Sequence, residues 1–323
     1  MSGVTKVEQY LQAAIRENTR KSYDGAIRHF EIEWRGFLPA TADSVARYLA
    51  DYAGNLSVST LRQRLAGLAQ WHVDQGFPDP TKAPVVKKTM RGIQALHPAR
   101  EKQARPLQLA QLDQVSKWLN QEIQHAQDCG DRPTFLRHSR DKALLLLGFW
   151  RGFRGDELSR LEVQNVEVVS GAGMTVFLSR TKGDRNNQGT FFKVPALSRL
   201  CPVEAYLDWI YAGGLTEGAV FRRVDRWGHI GDRGLHIDSL VPLLRIAFAS
   251  ANVPFADQYS GHSLRRGFAN WATSNGWDLK TLMEYVGWKS VQSAMRYVDS
   301  VDPFGQARIE NALSANQSRH IPS

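Results

Sequence analysis

Residues 163–194 read VQNVEVVSGAGMTVFLSRTKGDRNNQGTFFKV, and the fold turns on how this stretch is read. Val163–Val169, Met174–Ser179 and Thr190–Val194 are short runs rich in β-branched and aromatic residues. Gly171-Ala172-Gly173 separates the first from the second, and the stretch Gly183–Gly189 separates the second from the third. Short runs of this composition joined by glycine-bearing turns predict a three-stranded antiparallel sheet. On both sides of it, apolar residues recur at helical spacing instead. The fold class expected is therefore mainly α, with one small sheet set among helices.

Towards the N-terminus, a buried helix is expected from about Phe135 to Trp150, after an amphipathic one from about Leu107 to Gln124. Upstream of these, residues 97–106 read HPAREKQARP, polar, basic and bracketed by Pro98 and Pro106, which suits a linker over 98–106. Residues 1–97 then form an all-helical domain. Its apolar residues recur through Tyr23, Ile27, Phe30 and Trp34, through Val45, Tyr48, Leu49 and Tyr52, and through Leu61, Leu65, Leu68 and Trp71. Asn18 and Ser57 are suited to start helices, and Gly54 and Gly76 to stop them. Towards the C-terminus the pattern is helical again from Val203, interrupted by the Arg- and Gly-rich stretch Arg222–Gly234. The second domain runs over 107–302. Pro303 ends any helix reaching it, and a tail over 303–323 carries Phe304, Ala307, Ile309 and Leu313 among polar neighbours.

A chain of 323 residues can bury a core without staples, and its two cysteines, Cys129 and Cys201, lack the spacing of a disulfide framework or a zinc site. No apolar run approaches the ~20 residues a bilayer needs, and no basic-then-apolar leader opens the sequence. Lys and Arg outnumber Asp and Glu by 41 to 32, for a formal charge of +9. Residues 1–105 hold 16 of those basic residues against 10 acidic ones, so most of the surplus lies there. Arg20, Lys21, Arg62 and Arg64, followed by Lys87, Lys88 and Arg91, are the candidates for contact with a polyanion such as nucleic acid.

The chain lacks the phosphate-loop, HExxH and GxSxG signatures. It does carry four short segments that place cations around a tyrosine. Arg154 and Glu157, three residues apart in Gly152–Leu158, share a helix face. Lys182 follows a strand at a hairpin. His262 and Arg265 are again three apart, in Gly261-His262-Ser263-Leu264-Arg265. Gly287-Trp288-Lys289 precedes Tyr297 by nine residues counted from Trp288. Arg151 and Arg266 adjoin the two arginines of the set and read as surface groups or contacts to a backbone phosphate.

In this order the segments resemble the tyrosine recombinase (phage integrase) family, whose signature is Arg, Lys, His-x-x-Arg, His-or-Trp and Tyr. Trp288 in place of His is similar to the Cre-like branch. So are Thr60-Leu61-Arg62-Gln63-Arg64-Leu65, Trp71-His72, Gly76-Phe77-Pro78 and Met90-Arg91-Gly92-Ile93. The resemblance implies a core-binding domain over 1–97 and a catalytic domain over 107–302 that clamp duplex DNA. It implies that Tyr297 cleaves one strand through a 3′-phosphotyrosyl bond. Arg154, Arg265 and Trp288 would hold the phosphate, His262 or bound water would take the Tyr297 proton, Lys182 would protonate the leaving 5′-oxygen, and Glu157 would orient the cluster. No cofactor, metal or ATP is implied, because the phosphotyrosyl bond keeps the energy of the bond it replaces. The partners implied are a DNA recombination site and three further copies: a monomer when free, a homotetramer on two duplexes, with the tail docking in trans. A bacterial, cytoplasmic, nucleoid-associated protein is expected. Type IB topoisomerase-like relaxation and a non-catalytic DNA-binding regulator on the same fold stand as the alternatives.

Overall fold

The computed structural model describes residues 17–98, 104–181, 184 and 188–298, together with Lys6 and Tyr10. The chain divides into two compact units, Met1–Lys102 and Gln103–Ser323. Among the described residues, no helix is long and apolar enough to cross a membrane.

Over residues 17–98 the first unit holds the helices α1 (Glu17–Arg28), running on into a π-helical turn over His29–Glu33, α2 (Ala42–Asp51), α3 (Val58–Asp74) and α4 (Pro84–Leu96). Their starts follow from capping chemistry. Thr41 and Ser57 accept hydrogen bonds from the backbone N–H groups of Ser44 and Thr60, which the first turns of α2 and α3 would otherwise leave unpaired. Phe30, Tyr48, Leu49, Leu61, Leu68, Val86 and Ile93 form the core. His72 is buried in it. Its Nε2 accepts from the Ala40 N–H at 2.8 Å, which leaves Nδ1 to donate to the Leu68 carbonyl at 2.7 Å.

The second unit opens with α5 (Leu109–Asp128) and α6 (Arg132–Trp150). Helix α6 is buried on all sides over Ala143–Trp150, as an unbroken apolar run requires. A short helix α7 (Gly155–Ser159) leads to β1 (Val166–Val169), β2 (Gly173–Leu178) and β3 (Thr190–Pro195). These form the expected antiparallel sheet, in the order β1-β2-β3 and with Val176 opposite both Val166 and Phe192. Helix α8 (Pro202–Gly213) follows. Buried Cys201 precedes it and accepts from the Glu204 N–H through Sγ, while Cys129, after α5, is exposed.

The stretch Arg222–Gly234 corrects the expectation of a single sheet. It forms a second, two-stranded one, β4 (Arg222–Val224) paired with β5 (Ile230–Gly234). Asp225 fixes the turn between them by accepting from the N–H groups of Trp227 and His229. The remaining helices are α9 (Ile237–Ser250), α10 (Gly261–Ser274), α11 (Leu279–Val286) and α12 (Val291–Met295). Helix α10 runs through the centre of the unit, with Ser263–Ala269 all buried. Gly267 sits against the backbone of Leu107, so close that a Cβ there would lie 2.1 Å from the Leu107 carbonyl oxygen.

Candidate active site

Three segments converge at one end of α10. The first is the loop after α6, where Gly152 adopts a φ of +60° that lets the chain turn sharply towards Arg154. Arg154 sits at the N-terminus of α7 and Glu157 in that helix's first turn. One Glu157 oxygen accepts from the Arg154 N–H at 2.8 Å, and the other accepts from Arg154 Nη1 at 2.7 Å. Glu157 is buried, so its charge is matched by these partners rather than by water.

The second segment is α10 itself. Ser260 caps it, His262 lies exposed in its first turn, and Arg265, one turn on, is fully buried. Two backbone carbonyls clasp the Arg265 guanidinium: Gly152 O accepts from Nη1 at 2.7 Å and Val286 O from Nη2 at 3.3 Å. Glu157 lies 3.6 Å from the same Nη1. Burial pushes Arg265 down to about 9, with nearby Arg154 adding to the effect. A guanidinium stays charged in proteins all the same, so the strain of burial is expressed as attraction for an anion.

The third segment follows α11. Gly287, at a φ of +76°, turns the chain so that Trp288 packs beneath Tyr297. The Trp288 and Tyr297 rings are stacked with centroids 5.3 Å apart, and the Arg265 guanidinium lies 4.9 Å from the Trp288 centroid. Tyr297 comes just past α12, and its hydroxyl is 3.0 Å from His262 Nδ1. The Trp288 indole N–H is buried and meets no acceptor among the described residues.

Arg154, Glu157, His262, Arg265, Trp288 and Tyr297 are therefore brought together. Lys182 lies outside the described residues, as does the tail over 303–323; Thr181, just before Lys182, is buried. Arg266, expected as a surface group, is instead buried, because it lies in the enclosed stretch Ser263–Ala269 of α10. Arg151 is buried too, in the wall of the site. The carbonyl clasp of Gly152 and Val286 went unread in the sequence, since any residue can supply a carbonyl. Arg20, Lys21, Arg62, Lys87, Lys88 and Arg91 are exposed in the first unit, and Arg64 is half-buried. Among the described residues, no three His, Cys, Asp or Glu side chains are grouped to hold a metal ion.

The profile of the phage integrase family matches residues 119–302, more than half of the chain. The chain belongs to that family. This tyrosine recombinase is 25% identical over 96% of its length to a XerD integrase/recombinase homologue of Selenomonas ruminantium, covering 88% of that protein. It is 26% identical over 83% of its length to the Cre recombinase of Escherichia phage P1, covering 78% of it. A Tn1549 transposon integrase, solved in complex with transposon right-end DNA, shares the recombinase's fold with a TM-score of 0.62 at 15% identity. That match covers 93% of this chain and 95% of the solved integrase chain, its residues 82–397.

Proposed function

We propose that this protein is a site-specific DNA recombinase in which Tyr297 is the nucleophile. The observation that carries the reading is the 3.0 Å contact between the Tyr297 hydroxyl and His262 Nδ1, beside the buried Arg265 guanidinium. A phenol must give up its proton to attack a phosphodiester, and an imidazole nitrogen at hydrogen-bond distance accepts it. Attack raises the negative charge on the nonbridging phosphate oxygens. Arg265 and Arg154 stabilise that charge, and the unpaired Trp288 N–H supplies a further donor. Lys182 is assigned the proton that the departing 5′-oxygen needs. Glu157 touches no reacting atom and orients both arginines. Rejoining by the 5′-hydroxyl of a partner duplex reverses the same steps, so the cycle needs neither ATP nor a metal.

Exposed Arg20, Lys21, Arg62, Lys87, Lys88 and Arg91 are assigned to DNA phosphates, which set affinity and register. A monomer in free solution and a tetramer across two duplexes complete the reading, with the role being integration, excision or resolution. The test is covalent capture. Wild-type protein should yield DNA linked through Tyr297, and sequencing that DNA names the site. Tyr297→Phe should bind the site with unchanged affinity and give no adduct. An adduct that persists in the variant would assign attack to another residue.

A further inference from the structure

Arg151 lies outside the chemistry above, yet it is buried in the wall of the site. Its guanidinium is held between two aromatic rings, 4.6 Å from the centroid of Phe192 on β3 and 4.3 Å from that of Tyr285 on α11. The Tyr285 hydroxyl is turned away and donates to the Trp150 carbonyl. Arg151 Nε and Nη1 are buried and meet no acceptor among the described residues. One guanidinium thus bridges the loop leading to Arg154, the sheet whose β2–β3 hairpin carries Lys182, and the helix that ends at the Gly287-Trp288 turn.

The charge is the unexplained part. A Leu or Met would fill the slot between two rings without the cost of burying a cation. The carboxylate facing this cluster, Glu157, is already engaged by Arg154 and Arg265. Three guanidiniums face that one carboxylate, which leaves the cluster positive. Aromatic faces attract a cation while leaving its field in place, whereas a carboxylate would cancel that field.

We propose that Arg151 is a positioning residue that keeps a third, uncancelled positive charge behind Arg154 and Arg265, raising the affinity of the site for a doubly charged oxyanion. This rests on the reading of the site as a phosphate-transfer centre, whose transition state carries more negative charge than its substrate. The effect passes through the field and through the two arginines, without contact between Arg151 and the phosphate.

The test uses the full chain and sodium tungstate, a tetrahedral dianion, with binding followed by calorimetry and by thermal melting. Arg151→Met keeps the packed volume and drops the charge. It should melt at or above the wild-type temperature without tungstate and bind tungstate about tenfold more weakly. Arg151→Lys keeps the charge and should stay within about threefold of wild type, even where weaker stacking lowers its melting temperature. If Arg151→Met does not fold, Arg151→Gln serves for the same comparison with Arg151→Lys. Equal weakening in the charged and uncharged variants, or undiminished binding by Arg151→Met, overturns the proposal. Failure of the wild type to form any DNA adduct would instead overturn the recombinase reading, and the tungstate comparison would stand apart from it.

Discussion

Glu157 concentrates what the site demands of one side chain. Its carboxylate is buried, accepts two hydrogen bonds from Arg154 and lies 3.6 Å from Arg265. Breaking one side of a buried charge pair costs more than the pair contributes, because the surviving charges lose their counter-ion. Glu157→Gln should therefore lower unfolding stability by about 3 kcal/mol and slow strand cleavage by at least tenfold. Urea unfolding and single-turnover cleavage measure the two effects. Full activity in the variant would show that Arg154 holds its orientation unaided. At this scale the three-residue spacings mark side chains that the structure brings together: Arg154, which caps α7, pairs with Glu157 in that helix's first turn, and His262 and Arg265 both lie in the opening turns of α10. The sequence misled at Arg151 and Arg266. Charged residues predict exposure only where a helix or loop has a solvent side, and here both arginines lie in enclosed structure.

Helix α10 carries His262 and Arg265, and a backbone contact adds to the buried side chains that set its position. The Leu107 N–H donates to the Ser263 carbonyl at 3.1 Å, and Gly267 leaves the room that the Leu107 carbonyl occupies. Gly267→Ala would force a methyl group into that carbonyl, so α10 or the segment before α5 must move. The expected loss is about 2–3 kcal/mol in stability, read from chemical denaturation, with cleavage falling as His262 shifts from Tyr297. An alanine variant as stable as wild type would mean that this approach is slack. The three-stranded sheet was legible because its strands are β-branched and its breaks are glycines. The β4–β5 hairpin was not. Its strands are three and five residues long, rich in Arg and Gly and largely exposed, so neither alternation nor a buried face marks them. Asp225 holds the turn through backbone donors that no spacing rule anticipates.

For the whole molecule the governing quantity is charge. The surplus of +9 is weighted towards the first unit, where Lys87, Lys88 and Arg91 are exposed on α4 at spacings that place Arg91 beside both lysines. If these groups meet phosphates, each one neutralises a backbone charge and releases a counter-ion. Replacing all three with Ser should weaken binding to any duplex sequence alike. It should also reduce the slope of log affinity against log salt by about 0.9 for each phosphate no longer neutralised. Fluorescence anisotropy across a salt series measures that slope. An unchanged slope would show these residues to be a solvated face. The boundary between the two units, at Lys102/Gln103, falls within the proline-bracketed basic stretch 98–106, whose composition is that of a linker.

The two cysteines give the protein a built-in labelling scheme. Cys129 is exposed after α5, whereas Cys201 is buried, its sulfur taking up backbone N–H groups of Leu197 and Glu204 at 3.4 Å each. A maleimide dye added to the native protein should couple once per chain, at Cys129, with no engineered thiol. The second coupling must wait for the start of α8 to open, so its rate reports that local opening. Mass spectrometry of a labelling time course would then follow one region of the second unit breathing, with and without DNA. Two equally fast couplings would show that the α8 start is already loose in the native state.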